Sequence, residues 1–378
     1  MTASPAPRAA LRDPLIDALR ALAIIGVVTV NWVGYSMLLG DGALPIGAPF
    51  PADSPWAQAV WATLLVICQG KAYPLLCFLF GYSMVLSRRA RGRDPQAARA
   101  HRRQRMGRLA LLGVLHGCLV YAGDILLAYS VVGAGLLFVF DGKATRWLTC
   151  LRIWGGIFLA TVALMGLGLW MAGDQMAGQV DAPQAFHASA GGTWLAANAK
   201  HYATACLGTL FMLPELLALA LMGALTARLR IWQHPRWPRR FKAHWIVAGV
   251  VLVPACLGVN LHSVHAALNQ GPLMLSGTLD LMPNALFSLW LATGVAWFGS
   301  RQSGWVRWLA PAGRHTLTMY LTSSLLSMLV FTPVGLNLQP GTVVAAAMAL
   351  SYWALCMMLA RQAQAQGWTG PFERFLNR

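Results

Sequence analysis

Acidic residues are scarce in this chain: 12 Asp and Glu stand against 29 Lys and Arg, and charged residues of both signs make up only 11% of 378. With 57% hydrophobic residues and a mean hydropathy of +0.55, too little polar surface remains to coat a soluble protein of this length. A Walker loop, a GxSxG elbow, an HExxH pair and a Rossmann glycine pattern are all missing. ATP-driven transport, serine hydrolysis and zinc peptidase chemistry therefore have no sequence support. Seven cysteines are scattered singly (Cys68, Cys77, Cys118, Cys150, Cys206, Cys256 and Cys356), with no CxxC or Cys/His spacing. They read as packing residues rather than a redox pair or zinc ligands, and no metal is expected. No internal repeat stands out.

What is abundant is apolar sequence in runs long enough to cross a bilayer as helix. The runs are roughly 15–38, 57–87, 107–122, 125–140, 147–171, 203–227, 245–262, 280–299, 308–332 and 342–361. The fold class expected is an all-α polytopic membrane bundle of about ten spans, one domain over 1–378, with N-terminal helices in 12–140 and a C-terminal region over 228–378. Lys and Arg cluster in alternate connections, and 27 of the 29 fall on one side of this threading, Lys71 and Lys200 being the two left over. The positive-inside bias then puts both termini in the cytoplasm. The first run is long, contains Asp17 and Arg20, and lacks a small-residue cleavage site, so it reads as a retained helix rather than a signal peptide. The basic stretch 88–107 resembles a nucleic-acid arm in composition. Anionic lipid headgroups explain it more simply, and no nucleic-acid partner is expected.

Two boundaries are soft. The run 57–87 exceeds one perpendicular span and carries Gly70, Lys71 and Pro74 in its middle. A break there divides it into a shallow or re-entrant piece near 57–69 and a span from about 72. The runs 107–122 and 125–140 are short and joined only by Gly123 and Asp124, which makes a helical hairpin whose turn sits below the membrane surface.

Ionisable groups in hydrocarbon are costly, so they are the default site candidates. Asp17 and Arg20 lie three apart on one face of the first helix, spaced for an ion pair that either anchors the helix end or serves a site. Asn31 lies deeper and needs partners; helix–helix glue is the plain alternative. His116 falls about 12 Å along its helix from Arg108, near mid-membrane. Asp124, at the hairpin turn, is placed to accept backbone N–H groups as a cap. Together they have the make-up of a base and its orienter. Glu215 follows Pro214, and Asp280 precedes Pro283, both in apolar surroundings. Arg314 and His315 begin the ninth span, where a guanidinium serves equally as an anchor or as a phosphate ligand.

Several stretches in order resemble the YeiB-like family of bacterial integral membrane proteins, a domain of unknown function. They are Asp17-Ala-Leu-Arg20 with Val30-Asn31, Gly70-Lys71 leading to Phe80-Gly81, and Leu115-His116-Gly117 with Gly123-Asp124-Ile125-Leu126. Gly313-Arg314 through Leu317-Thr318 to Tyr320-Leu321, and Gly370-Pro371-Phe372-Glu373, complete the set. The first-helix pattern is similar to that of transmembrane acyltransferases, including sugar O-acyltransferases and lysosomal heparan-glucosaminide N-acetyltransferases. That resemblance implies transfer of an acyl group from cytoplasmic acyl-CoA (acetyl-CoA) to a small-molecule or glycan acceptor at the bacterial inner membrane. Where the O-acyltransferase pattern has a histidine fourteen residues after the Asp, this chain has Asn31.

On this reading His116 and Asp124 are catalytic, while Asp17, Arg20, Asn31, Lys71, Arg314 and Tyr320 bind substrate or cofactor. The site lies between the first, third, fourth and ninth spans. A secondary transporter, with Asp124, Glu215 and Asp280 carrying protons or substrate, is the second reading. A scaffold is the third, and the costly intramembrane groups argue against it. The partners expected are the bilayer and its anionic headgroups; an oligomer is compatible with such a bundle.

Overall fold

The computed structural model describes residues 13–36, 54–90, 95–140, 142–172, 191–268 and 273–377. Among them the regular elements are all helices. In chain order they are α1 (Pro14–Ser36), α2 (Pro55–Ile67), α3 (Ala72–Ala90), α4 (Pro95–Leu119), α5 (Leu126–Val139), α6 (Ala144–Ala172) and α7 (Gly191–Arg228). There follow α8 (Arg236–Leu268), α9 (Leu273–Phe298), α10 (Gly304–Gly313), α11 (Thr316–Phe331), α12 (Thr342–Ala365) and α13 (Pro371–Asn377).

Seven described segments are long and apolar enough to cross a membrane: α1, the joined pair α2–α3, α6, α7, α8, α9 and α12. Helices α5 and α11 are apolar but shorter. The protein is thus a polytopic membrane bundle. The most apolar window of α6 buries none of its residues, and Ile157, Leu164 and Val250 stand exposed on α6 and α8. In water such a surface would aggregate, whereas lipid is its natural solvent.

Between helices the packing depends on small residues, because lipid supplies no hydrophobic force to press helices together. At the α3–α7 crossing, a Cβ on Gly81 would overlap the Ala220 carbonyl, and one on Gly223 would overlap that of Phe78. Two glycines thus let these backbones touch. The expected break in 57–87 is present: α2 starts on a Ser54 cap, whose hydroxyl accepts the Ala57 N–H at 3.1 Å, and ends at Cys68. Gly70 then takes φ 69° before α3 begins.

Three expected boundaries shift. Helix α4 starts at Pro95, so much of the stretch read as a basic loop over 88–107 is helical. Arginine is a good helix former, and a polar turn can continue into the headgroup region. Helix α7 starts at Gly191 and runs 38 residues, so the far end of the 172–202 connection is helical too. It passes through Pro214 without breaking. The single span expected over 308–332 is two helices, α10 and α11, that part at Arg314–His315. Arg8, Arg12, Arg91, Arg93 and Arg378, and residues 173–190 of that long connection, lie outside the described residues.

Candidate functional site

The α4–α5 hairpin is built around close backbone contact. Helix α5 has 14 residues, about 21 Å, which is shorter than the hydrocarbon core is thick. Gly113 makes the approach feasible: a Cβ there would stand 2.9 Å from Asp124 Oδ2 and press on the start of α5. The turn residues are held from α7. Asn198, fully buried, accepts the Ala122 N–H at 3.1 Å and donates to the Gly117 and Cys118 carbonyls at 2.9 Å each. These are backbone groups that the end of α4 leaves open, and no lipid can satisfy them.

In this frame Asp124 does two things. Its Oδ2 accepts the Leu127 N–H at 3.1 Å, capping α5, and its Oδ1 lies 2.8 Å from His116 Nδ1. Both side chains are buried, at 4% exposure for His116 and 0% for Asp124. A carboxylate on Nδ1 keeps the proton there and leaves Nε2 as the basic nitrogen. His116 Nε2 is buried and meets no protein partner among the described residues. Tyr320 of α11 packs on the imidazole at 5.1 Å between ring centroids, and Tyr121 at 6.0 Å.

The second cluster lies at the basic end of the bundle. Asp17 Oδ1 pairs with Arg20 at 2.9 Å, and Asp17 Oδ2 lies 3.6 Å from Arg314 Nε. Arg20 also donates to the Ser83 hydroxyl of α3. Gly313 sets this geometry, since a Cβ on it would overlap the Asp17 carbonyl; α10 therefore ends directly on α1. Asp13 and Arg301, 3.1 Å apart, tie the same ends together. Glu373 of α13 accepts the N–H groups of Leu317 and Thr318 at 2.8 and 3.0 Å, capping α11 just beyond Arg314. Tyr320 lies just over one turn into α11, past the end that Arg314 and Glu373 mark, so the basic cluster and the His116–Asp124 pair are successive along α11.

A cavity of about 2140 Å³ runs from the basic cluster to Asp124; His116 does not line it, but Tyr121 and Tyr320, which pack on that imidazole, do. Its basic end is lined by Arg20, Arg105, Arg230, Arg314 and Arg374, its middle by Tyr121, Asp124, Tyr202 and Tyr320. Arg230 holds φ 54° just after α7, a left-handed conformation that glycine adopts without strain. Asn31 lines the cavity from α1, about three turns along from Arg20.

Lys71 is not part of this arrangement. Its ammonium is buried and engaged by the Leu65 and Gln69 carbonyls at 3.4 and 3.1 Å and by Asn260 Oδ1 at 3.1 Å. Every donor is occupied from within, which is what a cation in hydrocarbon requires. Glu215, 1% exposed, accepts the Tyr73 hydroxyl at 3.0 and 3.1 Å. Sequence reasoning passed over Asn198 and Gly113. Asn198 lies in a stretch polar enough to read as loop, and Gly113 is one glycine among many in an apolar run.

Two bacterial proteins are similar to this chain. The uncharacterized protein YeiB of Escherichia coli (strain K12) is 35% identical over 124 residues, which is 32% of this chain and 29% of YeiB. The uncharacterized protein YxaH of Bacillus subtilis (strain 168) is 25% identical over 373 residues, 91% of this chain and 87% of YxaH. The chain thus spans less than a third of YeiB and most of YxaH. The family described as "Protein of unknown function (DUF418)" matches residues 226–378. Arg314, Tyr320 and Glu373 fall inside that match, and His116 and Asp124 outside it.

Proposed function

We propose that the protein is an inner-membrane acyltransferase; residues 226–378 match the DUF418 family and neither relative's name states an activity, so the reading rests on the site. In this proposal ten passes leave both termini and the basic end of the cavity in the cytoplasm. Acyl-CoA enters there, and its phosphates are met by Arg314 with Arg20. The observation that carries the reading is His116: Nδ1 is held by Asp124, Nε2 is buried and meets no protein partner among the described residues, and its neighbours Asp124 and Tyr320 line a cavity that leads to arginines.

His116 Nε2 takes the proton of an acceptor hydroxyl or amine as its oxygen or nitrogen attacks the thioester carbonyl. A C–O or C–N bond forms, the C–S bond breaks, and His116 returns the proton to the departing coenzyme A thiolate. Asp124 keeps the imidazole in the required tautomer and stabilises its charge while the proton resides there. Guanidinium groups suit the phosphates because their planar forks hydrogen-bond oxygens in pairs. Asn31 then faces the reaction space as a hydrogen-bonding group rather than as a base. Calorimetry of the detergent-solubilised protein with coenzyme A and acetyl-coenzyme A tests the proposal. Saturable binding supports it; no heat from either, in a preparation shown to be folded, overturns it.

One observation favours the transporter reading instead: the buried Glu215–Tyr73 pair adjoins the cavity, since Tyr73 and Leu216 line it. Proton-coupled uptake in proteoliposomes that is lost in Glu215→Gln, without coenzyme A binding in the wild type, would decide for it.

A further inference from the structure

The cavity has a second end that the donor arrangement does not use. Asp280 opens the apolar stretch of α9, and 18 residues of helix separate it from Phe298, about 27 Å along the axis. Arg301, just past Phe298, pairs with Asp13 at the basic end, so Asp280 lies at the opposite end of the bundle. Asp280 and Asn284, one turn apart, both line the cavity there.

Asp280 Oδ2 accepts the Ser263 hydroxyl at 2.7 Å, while Oδ1 is buried and meets no protein donor among the described residues. Asn284 is fixed from α8: its Oδ1 accepts Asn260 Nδ2 at 2.7 Å and lies 3.2 Å from Cys256 Sγ. Gly70 closes the other side, and a Cβ on it would stand 2.8 Å from Asn284 Nδ2. Two helices and a positively turned glycine thus hold a carboxylate and a carboxamide at one wall.

Leaving a carboxylate oxygen unpartnered at membrane depth is costly, and a donor on a bound molecule would complete it. A cation already stands in this wall: the Lys71 ammonium donates to Asn260 Oδ1, and Asn260 in turn donates to Asn284. A second cation would be in excess; a neutral donor fits. We propose that this end is the acceptor subsite and takes a neutral molecule rich in hydroxyl groups, one of them donated to Asp280 Oδ1. The assignment rests on the acyl-transfer reading. The hydroxyl that reaches His116 loses its proton to Nε2 and forms the new C–O bond, as above.

The test uses full-length protein in detergent, with glucose as the neutral polyol and glucosamine as its cationic counterpart. Binding is followed by intrinsic tryptophan fluorescence, with coenzyme A calorimetry on the same preparations. Glucose should saturate the wild type, bind Asp280→Asn about tenfold more weakly or worse, recover partly in Asp280→Glu, and bind Arg314→Ala as it does wild type. Unchanged melting temperature and coenzyme A heat show that the Asp280 variants are folded. Glucose binding that ignores Asp280→Asn, saturation by glucosamine alone, or saturation by neither overturns the subsite. Asp280-dependent glucose binding in a protein that binds no coenzyme A overturns the transferase instead, and leaves a polar solute site.

Discussion

Asn198 on α7 donates its side-chain amide to the Gly117 carbonyl, 81 residues earlier in the chain, at 2.9 Å, and so holds the segment that carries His116. The same amide reaches Cys118, and its oxygen takes the Ala122 N–H. Asn198→Ala strands three buried main-chain groups. The expected loss is about 2–3 kcal/mol, each unmet group costing roughly 1–3 and partial relaxation recovering some. A lowered melting temperature in detergent, together with weakened catalysis, checks this; an unchanged melting temperature refutes the positioning role.

His116→Ala should leave coenzyme A binding as in the wild type and reduce acyl transfer by about 10²–10⁴-fold, the usual worth of a positioned acid–base group. Asp124→Asn should also reduce transfer, because an amide can donate to Nδ1 and trap the tautomer that protonates Nε2. Thiol release from acetyl-coenzyme A gives the rate, and calorimetry the binding.

Arginines at the basic end should separate stability from affinity. Arg314→Ala removes a guanidinium 3.6 Å from Asp17 and is expected to weaken coenzyme A binding about tenfold with little change in melting temperature. Arg230→Gly should do something a purely structural residue would not. Relief of the φ 54° backbone raises stability by about 1 kcal/mol, while the lost charge weakens binding. Opposite signs in the two measurements are the expected signature.

Topology is checked with reporter fusions. Fusions near residue 100 and near residue 235 should report the cytoplasm, and one within 173–190 the outer face. An outward report from the first would invert the direction in which the cavity is loaded.

Helix existence, the membrane setting and the break near Gly70 were legible in the sequence because each depends on local chemistry. Apolar runs of spanning length have few other uses, basic clusters record sidedness, and Gly70 supplies the positive φ that a chain leaving a helix commonly takes. Helix ends were less legible: the arginines before Leu109 and the polar residues before Tyr202 look like loop, yet helix continues through both. His116 and Asp124 stood out as costly residues, but their 2.8 Å contact depends on Gly113 and on Asn198, and neither announces itself.

Residue type alone determined that Asp17, Arg20, Lys71, His116, Asp124 and Arg314 needed partners, since charge and imidazole are expensive in hydrocarbon. Which partners they found was decided only by tertiary structure. Lys71 is flanked by the cavity residues Gly70 and Ala72, but the α2–α3 break turns it into a closed cage of carbonyls and Asn260. Arg314, a plain positive-inside anchor by position, is drawn to Asp17 because Gly313 lets two backbones touch. Spacing along one helix fixes which residues share a face. The meeting of faces from helices a hundred or more residues apart depends on where small side chains allow those helices to approach.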